Sequence, residues 1–302
     1  MAGWTGTAAI GALCAVLAAF SFALWNLYLQ RGLERGGTGP AALLALTLAI
    51  SGSFLPVVAA AGARGALPPL DPRGLGWFAL AGLMTGAVGP VLATHATRSI
   101  GAARTTAIRL LDPFFALCIS VLFLGERLRA GALAGIGLIA LALGLLQRDG
   151  QEGGTPGRGM SVGTALAVAA SLAFTLGSVA RKAGLSLLPS AWVAGALEGL
   201  TGLAAVLVSL TAGRRWSEGR AAFSRACLDL WWSGLAAAAG TLFLNLALQR
   251  VPVPVAVALR NTSPWFALVL VPRLLGGTHR PGRWMWVSTG LLTAGMVLIL
   301  AA

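Results

Sequence analysis

The chain has 302 residues, 57% of them hydrophobic and only 10% charged, and its mean hydropathy is +0.82. A soluble globular protein carries about 25% charged residues to wet its surface, so this composition excludes a water-soluble domain and makes lipid the outer solvent. The formal charge of +13 comes from basic residues scattered in ones and twos between apolar stretches, as in Arg31/Arg35 and Arg127/Arg129; that pattern anchors helix ends in a bilayer and excludes nucleic acid as a partner.

A hydrocarbon core about 30 Å thick takes about 20 apolar residues as helix, and helix is forced because backbone amides in lipid must bond within their own segment. Charge-poor stretches between turn signals predict ten spans: 8–29, 40–62, 75–97, 102–124, 130–147, 161–180, 189–212, 230–249, 253–274 and 284–301. Residues 1–30 carry no charged side chain, so the basic start of a signal peptide is missing and this stretch reads as the first span. Gly36-Gly37, Pro68-Pro69 and Gly276-Gly277 punctuate the connectors, and Trp77, Trp192, Trp231, Trp232, Trp284 and Trp286 stand near span starts, where the ring suits the headgroup level. Trp25 and Trp265 lie deep in their spans instead. Cys14, Cys118 and Cys227 are far apart with no CxxC, which gives no metal or redox motif, and no cofactor is expected.

The fourth and ninth spans are irregular in the same way. Ala107-Ile108-Arg109-Leu110-Leu111-Asp112-Pro113-Phe114-Phe115-Ala116-Leu117 aligns with Ala258-Leu259-Arg260-Asn261-Thr262-Ser263-Pro264-Trp265-Phe266-Ala267-Leu268, sharing Ala, Arg, Pro, Phe, Ala and Leu. At the same spacing Leu124-Gly125 falls on Leu275-Gly276, and Trp25–Arg31 on Leu176–Lys182. The chain therefore reads as an internal duplication, with halves at 1–150 and 151–302. Five spans per half is an odd number, so the second half enters the membrane inverted. Inverted repeats are a transporter architecture whose substrate site lies near the midplane, beside helices interrupted at equivalent positions. Here Pro113 and Pro264 make those interruptions.

At these residues the chain resembles the EamA family of the drug/metabolite transporter superfamily. The likeness is carried by Asp112-Pro113-Phe114-Phe115-Ala116 followed by Leu122-Phe123-Leu124-Gly125-Glu126-Arg127-Leu128, and by Ser263-Pro264-Trp265-Phe266-Ala267 with Leu274-Leu275-Gly276. In the second repeat Gly277 stands where the family has Glu. The resemblance covers essentially the whole chain and implies an all-α fold of ten transmembrane helices, in a multi-pass protein of the cytoplasmic membrane. It also implies a central cavity lined mainly by spans 1, 3, 4, 6, 8 and 9, and export of amino acids, nucleotide sugars, metabolites or drugs.

Charged and polar side chains at lipid depth are the site candidates, because an isolated charge there costs about 2.5–3.5 kcal/mol and so faces a cavity or a partner. Arg109 and Asp112 share a helix face; they either neutralise each other or offer a guanidinium to a carboxylate or phosphate. Arg260 has Ser263 where Arg109 has Asp112, so it lacks an acid one turn away. Glu198, the one acid of the seventh span, either bridges helices or carries a proton in coupled transport. His95 is either a helix-end donor or a group that charges near neutral pH. Asn26, Asn245 and Asn261 either bond across helices or line the cavity, and Trp25 and Trp265 either stack on substrate or pack. Glu126 reads as structural at the membrane edge. Gly82/Gly86, Gly131/Gly135 and Gly195/Gly199 are GxxxG pairs that let helices approach closely.

Together these features predict a secondary carrier of a small polar metabolite such as an amino acid, working by alternating access. A drug efflux carrier and a non-transporting membrane partner or sensor are the alternatives. An enzyme is disfavoured by the lack of HExxH and GxSxG, and a nucleotide-driven pump by the lack of GxxxxGK[ST]. Lipid and one small solute are the expected partners; the sequence leaves the oligomeric state open and is compatible with a monomer. The family likeness implies cytoplasmic termini, whereas the distribution of Lys and Arg among connectors favours the opposite orientation.

Overall fold

The computed structural model describes residues 6–100, 108–109, 111–125, 130–148, 160–214, 216–220 and 228–263, with short stretches between 265 and 298. Among the described residues every regular element is helical. The helices are α1 (Gly6–Glu34), α2 (Gly39–Ala63), α3 (Pro72–Leu83), α4 (Gly89–Ile100), α5 (Asp112–Leu124), α6 (Ala130–Arg148), α7 (Met160–Leu187), α8 (Ala191–Ala212), α9 (Trp216–Arg220), α10 (Leu228–Leu248) and α11 (Val253–Arg260). A five-residue π segment, Met84–Val88, joins α3 to α4. Among the described residues six helical stretches are long and apolar enough to cross a bilayer: α1, α2, Pro72–Ala96, Val162–Leu187, α8 and α10.

Local chemistry sets the helix starts. Thr38 accepts from the Ala41 N–H with Pro40 in the first turn of α2, Asp71 accepts from Arg73 N–H ahead of Pro72, and Ser190 accepts from Val193 N–H at α8. Each supplies an acceptor to a donor the first turn leaves open. The connector before α2 turns through Gly36, whose φ of 95° suits a residue without Cβ.

Two span boundaries differ from the sequence expectation. The sixth span does not stop at residue 180: α7 runs on to Leu187 and takes Arg181 and Lys182 into the helix. Likewise α1 reaches Glu34 and includes Arg31. Treating these residues as connector charges is therefore corrected. The reason is that both find partners along the helix, Arg181 on Glu198 and Arg31 on Asp229, so charge does not end either helix.

The packing has a paired pattern. α1 lies along α10, and α7 lies along α3 and α4; α2 packs on α8; α10 packs on α2 and α3 on α8; α11 meets α5; α5 lies on α7 and α11 on α1. Small residues make these approaches possible, since lipid supplies no hydrophobic force between helices and close contact must hold them. A Cβ added at Gly82 would stand 2.6 Å from the Glu198 carbonyl oxygen, and one at Gly86 3.0 Å from Gly202 Cα, so α3 and the π segment touch the α8 backbone. A Cβ at Gly234 would stand 2.6 Å from Ala49 Cβ, where α10 crosses α2. The core is built around α11, all eight residues of which are buried. Leu122, Phe123, Val162 and Val208 stand exposed on the outside, an apolar surface of the kind lipid covers.

Candidate functional site

Both sequence-matched motifs break their helices, and with the same hydrogen bonds. The Leu111 N–H donates to Ile108 O (3.0 Å) and the Phe114 N–H to Leu111 O (3.0 Å). In the second motif the Thr262 N–H donates to Leu259 O (3.2 Å) and the Trp265 N–H to Thr262 O (3.0 Å). Pro113 is buried in the first turn of α5, where its missing N–H costs nothing. Pro264 and Glu126 lie outside the described residues.

The two breaks face each other and exchange contacts. Asp112, fully buried, accepts from Arg260 Nη2 at 3.2 Å and from the Ser171 hydroxyl of α7. Arg109 Nη2 lies 3.8 Å from the same carboxylate. Asn261 Oδ1 accepts from Arg260 Nε and Nη2 at 3.3 and 3.0 Å, and Asn261 Nδ2 donates to the Arg109 carbonyl at 3.4 Å. Arg260 thus has its acid after all, supplied by the other half rather than by its own helix. The Arg109 guanidinium carbon lies 4.5 Å from the centre of the Phe174 ring, within cation–π range.

A second pair stands beside this one. Arg181 meets Glu198 at two points, Nε to Oε1 at 2.9 Å and Nη2 to Oε2 at 2.7 Å, and Nη2 also donates to Thr85 Oγ1 at 3.2 Å. Both side chains are buried. The Nε contact is a charge-assisted hydrogen bond, and the Nη2 contact adds ion-pair attraction at short range. The wide turn of the π segment presents Thr85, whose hydroxyl bonds back to Ala81 O (2.8 Å) while accepting from Arg181. Glu198 is therefore a bridged acid, as one of the two sequence readings allowed. Asn245, fully buried, neighbours Glu198 and donates to Ala191 O at 3.5 Å.

These groups surround a cavity of about 850 Å³, its open mouth included. Of the residues singled out from sequence, Trp25, Asn26, Arg109, Glu198, Arg260 and Asn261 line it, with Asp112 buried directly behind the arginines and Asn245 behind Glu198. His95 is exposed on α4 and outside the cavity wall. Trp265 packs against the core. The wall also includes Thr47, Thr85, Phe174, Arg181 and Thr241, none of which sequence reasoning selected. Arg181 had a usable signal, because an acid at lipid depth on α8 requires a cation nearby. The threonines had none, since a helical Thr can equally bond back to its own turn, as Thr47 does to Leu43 O. The family likeness did not mark the second and seventh spans as cavity walls, yet α2 and α8 both contribute.

A multi-pass helical membrane protein with a charged cavity between its helices is the class that fold and site define. The model of the EamA-like transporter family matches residues 9–147, so over this first part, just under half of its length, the chain is EamA-like. A solved crystal structure, described only as that of a protein, superposes with a TM-score of 0.69 over 94% of this chain and 97% of its own at 20% identity, which establishes likeness of fold. No curated protein matches the chain.

Proposed function

We propose that the protein is a secondary carrier that moves a small, carboxylate- or phosphate-bearing metabolite outward across the cytoplasmic membrane by alternating access. The observation that carries this reading is the cavity between the two interrupted helices, walled by Arg109, Arg181 and Arg260. Guanidiniums are the side chains best suited to planar anions, and charged groups at lipid depth belong where a polar solute passes.

The architecture we propose is ten helices in two inverted five-helix repeats, 1–150 and 151–302. Its support is the matched pair of helix breaks and the exchange pattern of the packing. α1 on α10 corresponds to α7 on α3 and α4, and α10 on α2 corresponds to α3 on α8. Halves related in this way would rock about the Asp112–Arg260 contact, exposing the cavity to each side in turn. Proton coupling through Glu198 has less support, because its carboxylate is held at two points by Arg181.

The test is counterflow in sealed liposomes. Protein is reconstituted, the interior is preloaded with a pooled panel of amino acids, organic acids, sugars and phosphorylated metabolites, and labelled solutes are added outside. Accumulation of a labelled metabolite that collapses on permeabilising the vesicles supports the carrier. Accumulation confined to apolar drugs replaces it with drug efflux. Absence of any flux from folded protein leaves a non-transporting partner.

A further inference from the structure

The charges around the cavity do not cancel, and the remainder describes the cargo. Among the described residues three guanidiniums stand there, Arg109, Arg181 and Arg260, against two carboxylates, Asp112 and Glu198. Arg181 and Glu198 neutralise each other through one hydrogen bond and a second close ion-pair contact. Asp112 is taken by Arg260 at 3.2 Å and by the Ser171 hydroxyl, and Arg260 is further held by Asn261.

Arg109 is left over. Its ion-pair distance of 3.8 Å is the longest in the cluster and runs to the Asp112 oxygen that Arg260 already holds. Its Nε is buried with no hydrogen-bond partner among the described residues. One third of its side chain is exposed, on the cavity wall. A guanidinium one-third exposed on the cavity wall, with its nearest carboxylate already held by another arginine, is matched by one oxyanion, because the fork accepts a planar carboxylate at two points.

We propose that Arg109 is the subsite for the anionic group of the substrate, and that the substrate is a small organic monoanion. This rests on the carrier reading and narrows it. A zwitterionic amino acid brings an ammonium that would have to compete with Arg260 for Asp112 or with Arg181 for Glu198, so the amino-acid expectation gives way to a simple carboxylate. A dianion brings one negative charge more than the surplus. Chloride has the right charge, but it makes no use of Phe22, Trp25 and Phe174 in the wall. Those rings suit a short apolar body behind the carboxylate.

The experiment is counterflow with labelled monocarboxylates, dicarboxylates, zwitterionic amino acids, neutral sugars and chloride, in wild type, Arg109→Gln and Arg109→Lys. Wild type should exchange monocarboxylates at least about ten-fold faster than any other class, the discrimination one charge-assisted contact provides. Arg109→Gln should lose that flux by a similar factor, and Arg109→Lys should recover part of it, keeping the charge but not the fork. Flux of amino acids, sugars, dicarboxylates or chloride equal to that of monocarboxylates overturns the monoanion assignment while the carrier stands. Undiminished monocarboxylate flux in folded Arg109→Gln overturns the subsite. No flux of any class overturns the carrier and this inference with it. Should Arg109→Gln elute as aggregate, the wild-type selectivity and Arg109→Lys decide: equal flux in lysine variant and wild type shows that the fork is not used.

Discussion

Arg109 and Arg260 occupy equivalent positions in the two halves, each just before a helix break closed by the same pair of backbone hydrogen bonds. Around that shared frame the halves diverge. The first half supplies Asp112 where the second has Ser263, and the second supplies Arg181 and Glu198 where the first has Gln30 and Thr47. The third span carries a π segment at Met84–Val88, whereas α10, its counterpart, is regular throughout. Under the proposed duplication, the cations on the breaks and the backbone that holds them are what the halves share. The acids belong to one half each, and the imbalance between the two sets of charges arises from that divergence. A cavity between identical halves would have been lined in equivalent pairs; this one is lopsided, with one arginine tied by its own half's partner and another tied across the middle.

The comparison can be broken most severely at Asp112. Asp112→Ala strands Arg260 and Arg109 together, and removing one partner of a buried ion pair costs about 3–5 kcal/mol, read as a lowered midpoint in thermal unfolding of detergent-solubilised protein. Moving the acid to its equivalent place, Asp112→Ser with Ser263→Asp, should regain most of that loss. If the exchange proves as damaging as Asp112→Ser alone, the two sites are not interchangeable.

Glu198→Ala comes next, because it leaves Arg181 buried beside Thr85 with no acid; about 3 kcal/mol is expected in the same assay. Thr47→Val, at the matching position of the first half, should cost less than about 1 kcal/mol, since Thr47 bonds only to carbonyls of its own helix. Equal losses would contradict the assignment of the ion pair to one half only.

Helix approach provides a smaller effect. Gly82→Ala sets a methyl 2.6 Å from the Glu198 carbonyl oxygen and must push α3 off α8, for about 1–3 kcal/mol. Smallest is Arg35→Ala. Arg35 reaches Asp229 at 2.6 Å between the end of α1 and the start of α10, but it is 53% exposed. Screening then holds the change within about 1 kcal/mol, a shift at the limit of a melting curve and one that high salt should erase.

The sequence carried the frame of this site better than its content. The Arg–Pro repetition located both breaks because each demands residues otherwise avoided at lipid depth, and the spans followed from the uninterrupted apolar runs around them. Pairing across the bundle was not legible, since Arg260 and Asp112 meet only after α11 docks on α5. Arg181 was missed for a physical reason: two adjacent cations after an apolar run look like a membrane boundary, and only Glu198 on a neighbouring helix allows α7 to continue past them. His95 and Trp265 were candidates by residue type alone; in the structure His95 is exposed on α4 and Trp265 packs, partly buried, against the core.

Lys182 is the only lysine in the chain. Its ammonium donates to the Leu248 carbonyl at 2.5 Å and the Val251 carbonyl at 3.1 Å, where α10 turns toward α11. An amine so engaged is a poor nucleophile, so acylation by a membrane-permeant ester proceeds only as fast as α7 and that turn separate. With no other side-chain amine to compete, the protein carries its own chemical clock. The labelling rate at one residue, followed by intact mass with and without solute, times the opening of this corner of the bundle without introducing a probe.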